Sequence, residues 1–211
     1  MSAAPRPPLR VVRAAPEVPP EDPDLADALI AGESWAATAT WNKHSQMVFR
    51  FLRRALGPTS DVDDLTQEVF VGLFSNVRAL RDRGALRSFI FSIAVRTLRW
   101  ELRRRKTRRL FQLSGFEQLP DHPAPAVDAE SRQALRRFYG ILDGLGAQER
   151  AAFALRHMEG LKLEEVADAL GISLATAKRR LQRAGNYVSR MVERDPALAP
   201  YAKPRELGDG S

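Results

Sequence analysis

The chain has 211 residues with 33 Lys and Arg against 26 Asp and Glu, a formal net charge of +7. That balance points to a polyanionic partner, nucleic acid before a membrane surface, with a merely basic soluble surface as the plain alternative. The absence of cysteine excludes disulfides and thiolate metal sites and suits a reducing cytoplasm.

Residues 1–23 are rich in proline and are expected to form a disordered arm. They carry no apolar core of a secretory signal, and the longest apolar run of the chain, around Phe89 to Val95, is far too short to span a bilayer. A cytoplasmic protein with no membrane partner is expected. Residues 24–106 carry helical spacing and form the first expected module. Within it, 61–70 reads DVDDLTQEVF, acid concentrated in a basic chain. Ser60 or Asp61 can cap a helix there, and Asp63 and Asp64 suit the positive end of its dipole. At 100° per residue Asp61, Asp64 and Glu68 line one stripe, while Val62, Leu65, Val69, Phe70, Leu73 and Val77 line another face. The stripe is either a solvated polar face or a docking surface for a basic partner.

The next helical pattern, LRSFIFSIAVRTLRWELRRRKTRRL from Leu86, belongs to a strongly basic segment. Residues 78–109 hold twelve Lys and Arg against Asp82 and Glu101, a net of +10 by subtraction. Leu86, Phe89, Ile90, Ile93 and Thr97 share a face that Phe91, Val95, Leu98 and Leu102 widen, and Ser88, Ser92, Arg96, Arg99 and Arg103 form a narrow polar strip. Arginines on such an edge can hold phosphates; Trp100 at its border can stack on an exposed base or complete the core. A solvated basic tail is the alternative for the charge.

Residues 107–127 string Gly, Pro and polar residues between two helical patterns and read as a linker, which leaves 128–194 as a second helical module and 195–211 as a disordered tail. In that module, LKLEEVADALGISLATAKRRLQRA at 161–184 has the pattern of a helix-turn-helix. Leu163, Val166, Ala167 and Leu170 make an apolar face, Gly171 suits a tight turn, Ile172 plugs the corner and Ser173 caps a second helix. Ala177, Leu181 and Ala184 point inward, so Thr176, Lys178, Arg179, Gln182 and Arg183 are the candidates to face a major groove, with Arg180 on the flank. An ordinary helical hairpin is the alternative. Gly185 is expected to weaken the helix just beyond.

The fold class is therefore all-α: two small helical modules joined by a flexible linker. No enzyme is expected, because His44, His122 and His157 are scattered and no phosphate-loop, HExxH or GxSxG pattern occurs. No cofactor is expected, and DVDD lacks the glycine and terminal Glu of a calcium loop.

DVDDLTQEVFVGLF, RSFIFSIAVRTLRWELRRRK and LDGLGAQERAAFALRHMEGLKLEEVADALGISLATAKRRLQRA, in this order, resemble bacterial RNA polymerase sigma factors of the extracytoplasmic-function group. The resemblance covers most of 35–105 and 138–188. It implies that the first module is sigma region 2-like and the second region 4-like, and that the protein directs promoter recognition, DNA melting and transcription initiation. It further implies that the acidic helix, through Asp61, Asp64, Gln67 and Glu68, docks on the clamp helices of the largest subunit of core RNA polymerase. Arg96, Arg99, Trp100 and Arg103 would then meet the minus-10 element, and the helix-turn-helix residues the minus-35 duplex. An anti-sigma factor is a further partner that the family implies. Where the family has Trp, Asn and Asp in the minus-10 helix this chain has Phe89, Arg96 and Trp100, and Gly146 replaces the Pro that opens the second module, so the family's minus-10 base preference is not carried over. The competing reading is a stand-alone helix-turn-helix regulator of a duplex operator, which leaves the acidic stripe and the aromatic basic helix unexplained.

Overall fold

A computed structural model of the protein describes residues 20–57, 61–111, 129–198 and 201, with side chains to residue 108 in the second of these segments. Most of the expected arm, the expected linker from residue 112 on, Ser60 and most of the tail lie outside the described residues; 107–111, expected as linker, instead continue the helix that starts at Leu86. Among the described residues every element is helical.

The first helix, α1 (Asp22–Ala31), starts two residues before the expected boundary, because Pro23 fits a first helical turn, whose amide has no intrahelical partner to lose. It ends at Gly32, whose positive φ of 74° closes the turn. In α2 (Ala36–Leu56) the buried positions Ala36, Thr40, His44, Val48, Phe51, Leu52 and Ala55 recur every three or four residues and face the core. Asp22 ties the two helices together: it takes Lys43 Nζ at 2.9 Å and lies 3.1 Å from Nε2 of the buried His44. Burial holds the His44 imidazole below its ordinary pKa, against the pull of Asp22.

The acidic helix is α3 (Val62–Asn76), and it buries Val62, Leu65, Val69, Phe70 and Leu73 as the spacing requires. Two 3₁₀ turns, Val77–Ala79 and Arg83–Ala85, lead into α4 (Leu86–Phe111). Leu86, Ile90, Phe91, Ile93, Ala94, Val95 and Leu98 are all buried there. The second module consists of α5 (Ala129–Asp143), α6 (Ala147–Phe153) continuing into a π turn (Ala154–Met158), α7 (Leu163–Leu170) and α8 (Leu174–Arg194). Gly185 does not interrupt α8, since its neighbours Ala184 and Val188 are buried and their packing outweighs a propensity cost of about 1 kcal/mol. Nor does the chain leave the core at Asp195. Arg137 holds the Asp195 carboxylate at 3.1 Å, the carboxylate accepts from the Ala197 amide, and Leu198 is buried beside Val188.

The two modules share a core. Ala151, Ala152, Leu155, Leu161, Val166 and Ala169 of the second belong to the same apolar cluster as Phe51, Ile90, Phe91 and Leu98 of the first. Small alanines on α6 and Ala94 on α4 suit close helix approach. Arg150, 3% exposed, lies at this seam: Nε donates to the Ala55 carbonyl in the last turn of α2 at 2.5 Å and Nη1 donates to Asp143 at 2.5 Å. Arg54 donates to the Met158 carbonyl and to Glu159 (3.1 Å), and Arg87 pairs with Glu165 at 3.3 Å.

Two predictions follow from this packing. Arg150→Ala is expected to lower folding stability by about 2–4 kcal/mol, because it strips a carbonyl and a carboxylate of a charged donor; a reduced urea midpoint with an unchanged slope would show it. For His44, with a folded pKa below the unfolded value of 6.5, the unfolded chain binds the proton more readily, so stability is full above about pH 6.5 and falls as pH drops below it. His157, also lowered by burial, adds to the fall, and the raised carboxyl of Glu159 opposes it. Urea midpoints at pH 7.5 and 5.5 should therefore differ less in His44→Gln than in the native chain.

Candidate nucleic-acid and polymerase interfaces

Three exposed faces carry the predicted site residues. On α3, Asp64, Gln67 and Glu68 are exposed side by side. Asp61 occupies the cap position but makes no capping hydrogen bond; its half-exposed carboxylate lies 3.6 Å from Arg104 of α4 instead. The stripe is therefore pinned at its amino-terminal end to the basic helix and open along the rest. It is also less polar than its acid suggests. Val71, 65% exposed, and Phe74, 36% exposed, follow Gln67 at helical spacing and belong to this face. Phe74 packs on Phe70 at 5.9 Å between ring centres and Phe70 on Trp41 at 4.8 Å, so the buried Phe70 joins two surface rings, Trp41 on α2 and Phe74 on α3. Neither Val71 nor Phe74 belongs to the apolar face expected from the sequence; their place on the wheel, off the Leu65–Val69–Leu73 line, is the signal that sets them apart.

The second face is the outer edge of α4, where Arg96, Arg99, Trp100 and Arg103 follow one another at i, i+3, i+4 and i+7. Of the two roles open to Trp100, completion of the core is ruled out, because the indole is 50% exposed. Arg104 stacks over it with its guanidinium carbon 5.1 Å from the ring centre. Trp100, Arg103, Arg104, Thr107 and Arg108 line an open concavity, cationic on its rim and aromatic at one wall.

Behind this edge sits Glu101, fully buried, accepting from Arg104 Nε and Arg105 Nε at 2.7 Å each. Arg105 also reaches the Leu56 carbonyl at 3.4 Å. The hydrogen bond to Glu101, with the charges of Glu101, Asp61 and Glu68, holds the Arg104 guanidinium above its ordinary pKa against partial desolvation. Glu101 counts in the sequence only as one anion among twelve cations; in the fold it orients two of them. Arg104, outside the predicted set, is thereby placed against Trp100.

The third face belongs to α7 and α8. Glu165 turns back to accept from the Lys162 amide at 2.7 Å and opens α7; Gly171, at φ 62°, closes it, with the Ile172 amide reaching the Ala167 carbonyl at 3.0 Å. Ser173 caps α8 by accepting from the Thr176 amide at 3.3 Å, and the two hydroxyls lie 2.9 Å apart. Thr176 is thus half-buried and engaged in the cap. Lys178, Arg179 and Gln182 project into solvent, and Arg183, though exposed, reaches Glu149 of α6 at 3.3 Å. Arg180 is half-buried on the flank, while Ala177 and Ala184 are buried. The fold brings Lys178, Arg179, Gln182 and Arg183 onto one accessible side of α8 and leaves Thr176 at its edge.

Residues 40–108 match the family model for sigma-70 region 2, and residues 135–184 match that for sigma-70 region 4. The chain is similar to the ferric citrate uptake sigma factor FecI of Escherichia coli, at 28% identity over 80% of this chain and 94% of that protein. It is also similar to the RNA polymerase sigma-E factor of Streptomyces avermitilis, at 30% identity over 65% of this chain and 74% of that protein. The fold resembles that of CnrH, solved in complex with the cytosolic domain of CnrY, with a TM-score of 0.60 and 22% identity over 82% of this chain and 98% of CnrH. These matches fall on both modules and point to no enzyme family, and they favour a sigma factor over a regulator that carries a helix-turn-helix alone. With both the region 2 and region 4 patterns in one all-helical chain, the protein belongs to the sigma-70 family of RNA polymerase sigma factors, in its extracytoplasmic-function group.

Proposed function

We propose that the protein works in the cytoplasm, binds core RNA polymerase through the exposed face of α3 and directs it to promoters through α4 and α8. The observation that carries this reading is the exposed Trp100 within an arginine edge, on a different module from the helix-turn-helix. A duplex-reading regulator needs only the second of these; an exposed indole flanked by cations suits unpaired bases. Asp64, Gln67 and Glu68 supply the acidic part of the polymerase contact, with Asp61 at its pinned end, and Val71 and Phe74 supply apolar anchors inside it, the composition of a docking centre with a polar rim. The partner surface is basic, on the clamp helices of the largest subunit.

At the promoter, Arg96, Arg99 and Arg103 hold the phosphates of the minus-10 strand while Trp100 stacks on a base released from pairing. Arg104, held by Glu101, keeps the indole in place from its other side. Lys178, Arg179, Gln182 and Arg183, with Thr176 at the cap, enter the major groove of the minus-35 duplex, where an arginine can bond both acceptors of a guanine. No step requires a cofactor. An anti-sigma protein is a further proposed partner, in keeping with the group and with a structural neighbour, the sigma factor RpoE of Bartonella quintana, solved in complex with the anti-sigma factor NepR.

Size-exclusion co-elution with core RNA polymerase tests the docking: the Asp64→Arg, Glu68→Arg double variant is expected to lose co-elution at unchanged helicity, and normal binding by the variant would remove α3 as the contact. For melting, Trp100→Ala should cost less than about 1 kcal/mol of folding stability, since the side chain is half outside the fold. The same change should slow promoter opening by roughly 5- to 150-fold, the worth of one base–aromatic stack, with closed-complex affinity retained; permanganate reactivity of minus-10 thymines separates the two steps.

A further inference from the structure

The amino-terminal turn of α8 exposes a side chain that the fold does not use. Leu174, the first residue after the Ser173 cap, is 46% exposed and belongs to neither core cluster, whereas Leu170 before the turn and Leu181 further along α8 pack against the shared core. Its neighbour Ala175 is exposed as well. Around the helix, Leu174 stands one turn before Lys178, and Ala175 one turn before Arg179, so an apolar step adjoins the cationic side. Nearly half of the Leu174 surface is left outside the fold.

In a helix-turn-helix the first residues of the recognition helix meet the base edges. The major groove offers one apolar feature, the C5-methyl group of thymine. We infer that Leu174 reads a thymine methyl in the minus-35 duplex. Ala175 is small enough to let the helix approach the base pair, and Lys178 and Arg179 occupy the polar positions beside it. Specificity at this step is then a matter of buried methyl surface rather than of hydrogen bonds. The inference rests on α8 being the duplex-reading element of the proposed function.

The test uses holoenzyme reconstituted from the full chain and core polymerase, on a promoter recovered by selection from a randomised pool. Each minus-35 thymine is replaced singly by deoxyuridine, which deletes the methyl and keeps every hydrogen-bonding group. At one thymine the native protein is expected to lose about fourfold in affinity, the worth of one buried methyl group. Leu174→Ala should lose a similar factor on the unmodified promoter and show no further loss with deoxyuridine at that position. Insensitivity of the native protein to every deoxyuridine, a selected element without thymine, or a full deoxyuridine penalty in Leu174→Ala would each overturn the inference while leaving α8 as the reading helix. Scrambling the whole minus-35 element is the separate control: if it has no effect, the reading of α8 fails and the inference with it. Because the deoxyuridine change is made in the DNA, the result does not depend on how well the variant folds.

Discussion

The arrangement of the two modules depends on a buried guanidinium. Arg150 is almost without solvent, and burial pulls its pKa down while the Asp143 carboxylate holds it up. An arginine remains charged under such opposition, so its charge must be met inside the seam. The Ala55 carbonyl meets part of it. That carbonyl lies in the last turn of α2, where acceptors lack helical partners and the dipole is negative, so a cation from another module is stabilised there twice over. Arg105 reaches the next carbonyl, that of Leu56, from α4. The end of α2 is thus the point at which α4 and α6 are registered against one another.

A buried ion of this kind contributes little net stability compared with a well-packed apolar group, since desolvation offsets most of the attraction. The attraction between modules comes mainly from the alanine-lined contact of α6 and α7 with α2 and α4, and the arginines give that contact a direction. Alanines alone would allow helices to slide by a turn; a guanidinium bonded to one carbonyl and one carboxylate does not. Glu101 acts likewise on α4. One buried carboxylate with two arginine donors turns a crowded run of cations into two oriented side chains and leaves the exposed arginines of the edge toward solvent.

The sequence makes the apolar faces of α3 and the helix-turn-helix legible, because in both the pattern repeats at helical spacing and is bounded by caps and a turn glycine. It shows the polar strip of α4 for the same reason. What it conceals are single polar residues whose meaning depends on distant segments. Arg150, in AQERAAF, looks like any surface arginine, and its acceptor lies 95 residues earlier. Glu101 looks like a lone anion. Leu198 follows a proline in a stretch with no periodicity, and only the groove between α5 and α8 makes it a core residue. Trp100 could stand on either side of the boundary between core and solvent by spacing alone; its neighbours in three dimensions put it outside. Val71 and Phe74 show the converse, apolar residues off the line of Leu65, Val69 and Leu73 that the fold leaves at the surface.

The same packing leaves the functional faces open. The core shared by the modules takes the inner faces of α2, α4, α6 and α7, while the exposed residues of α3, the arginine edge of α4 and the outward side of α8 point elsewhere. Docking of the modules on one another therefore covers none of Asp64, Gln67, Glu68, Trp100, Lys178, Arg179 and Gln182. The separation of α4 and α8 is set by non-covalent contacts at the seam, with Arg150, Arg54 and Arg87 as its polar fixings. A weak module held at a defined distance from another gains effective concentration at its own site. In this chain the distance is written into the carboxyl-terminal end of α2 and the side chains that converge on it.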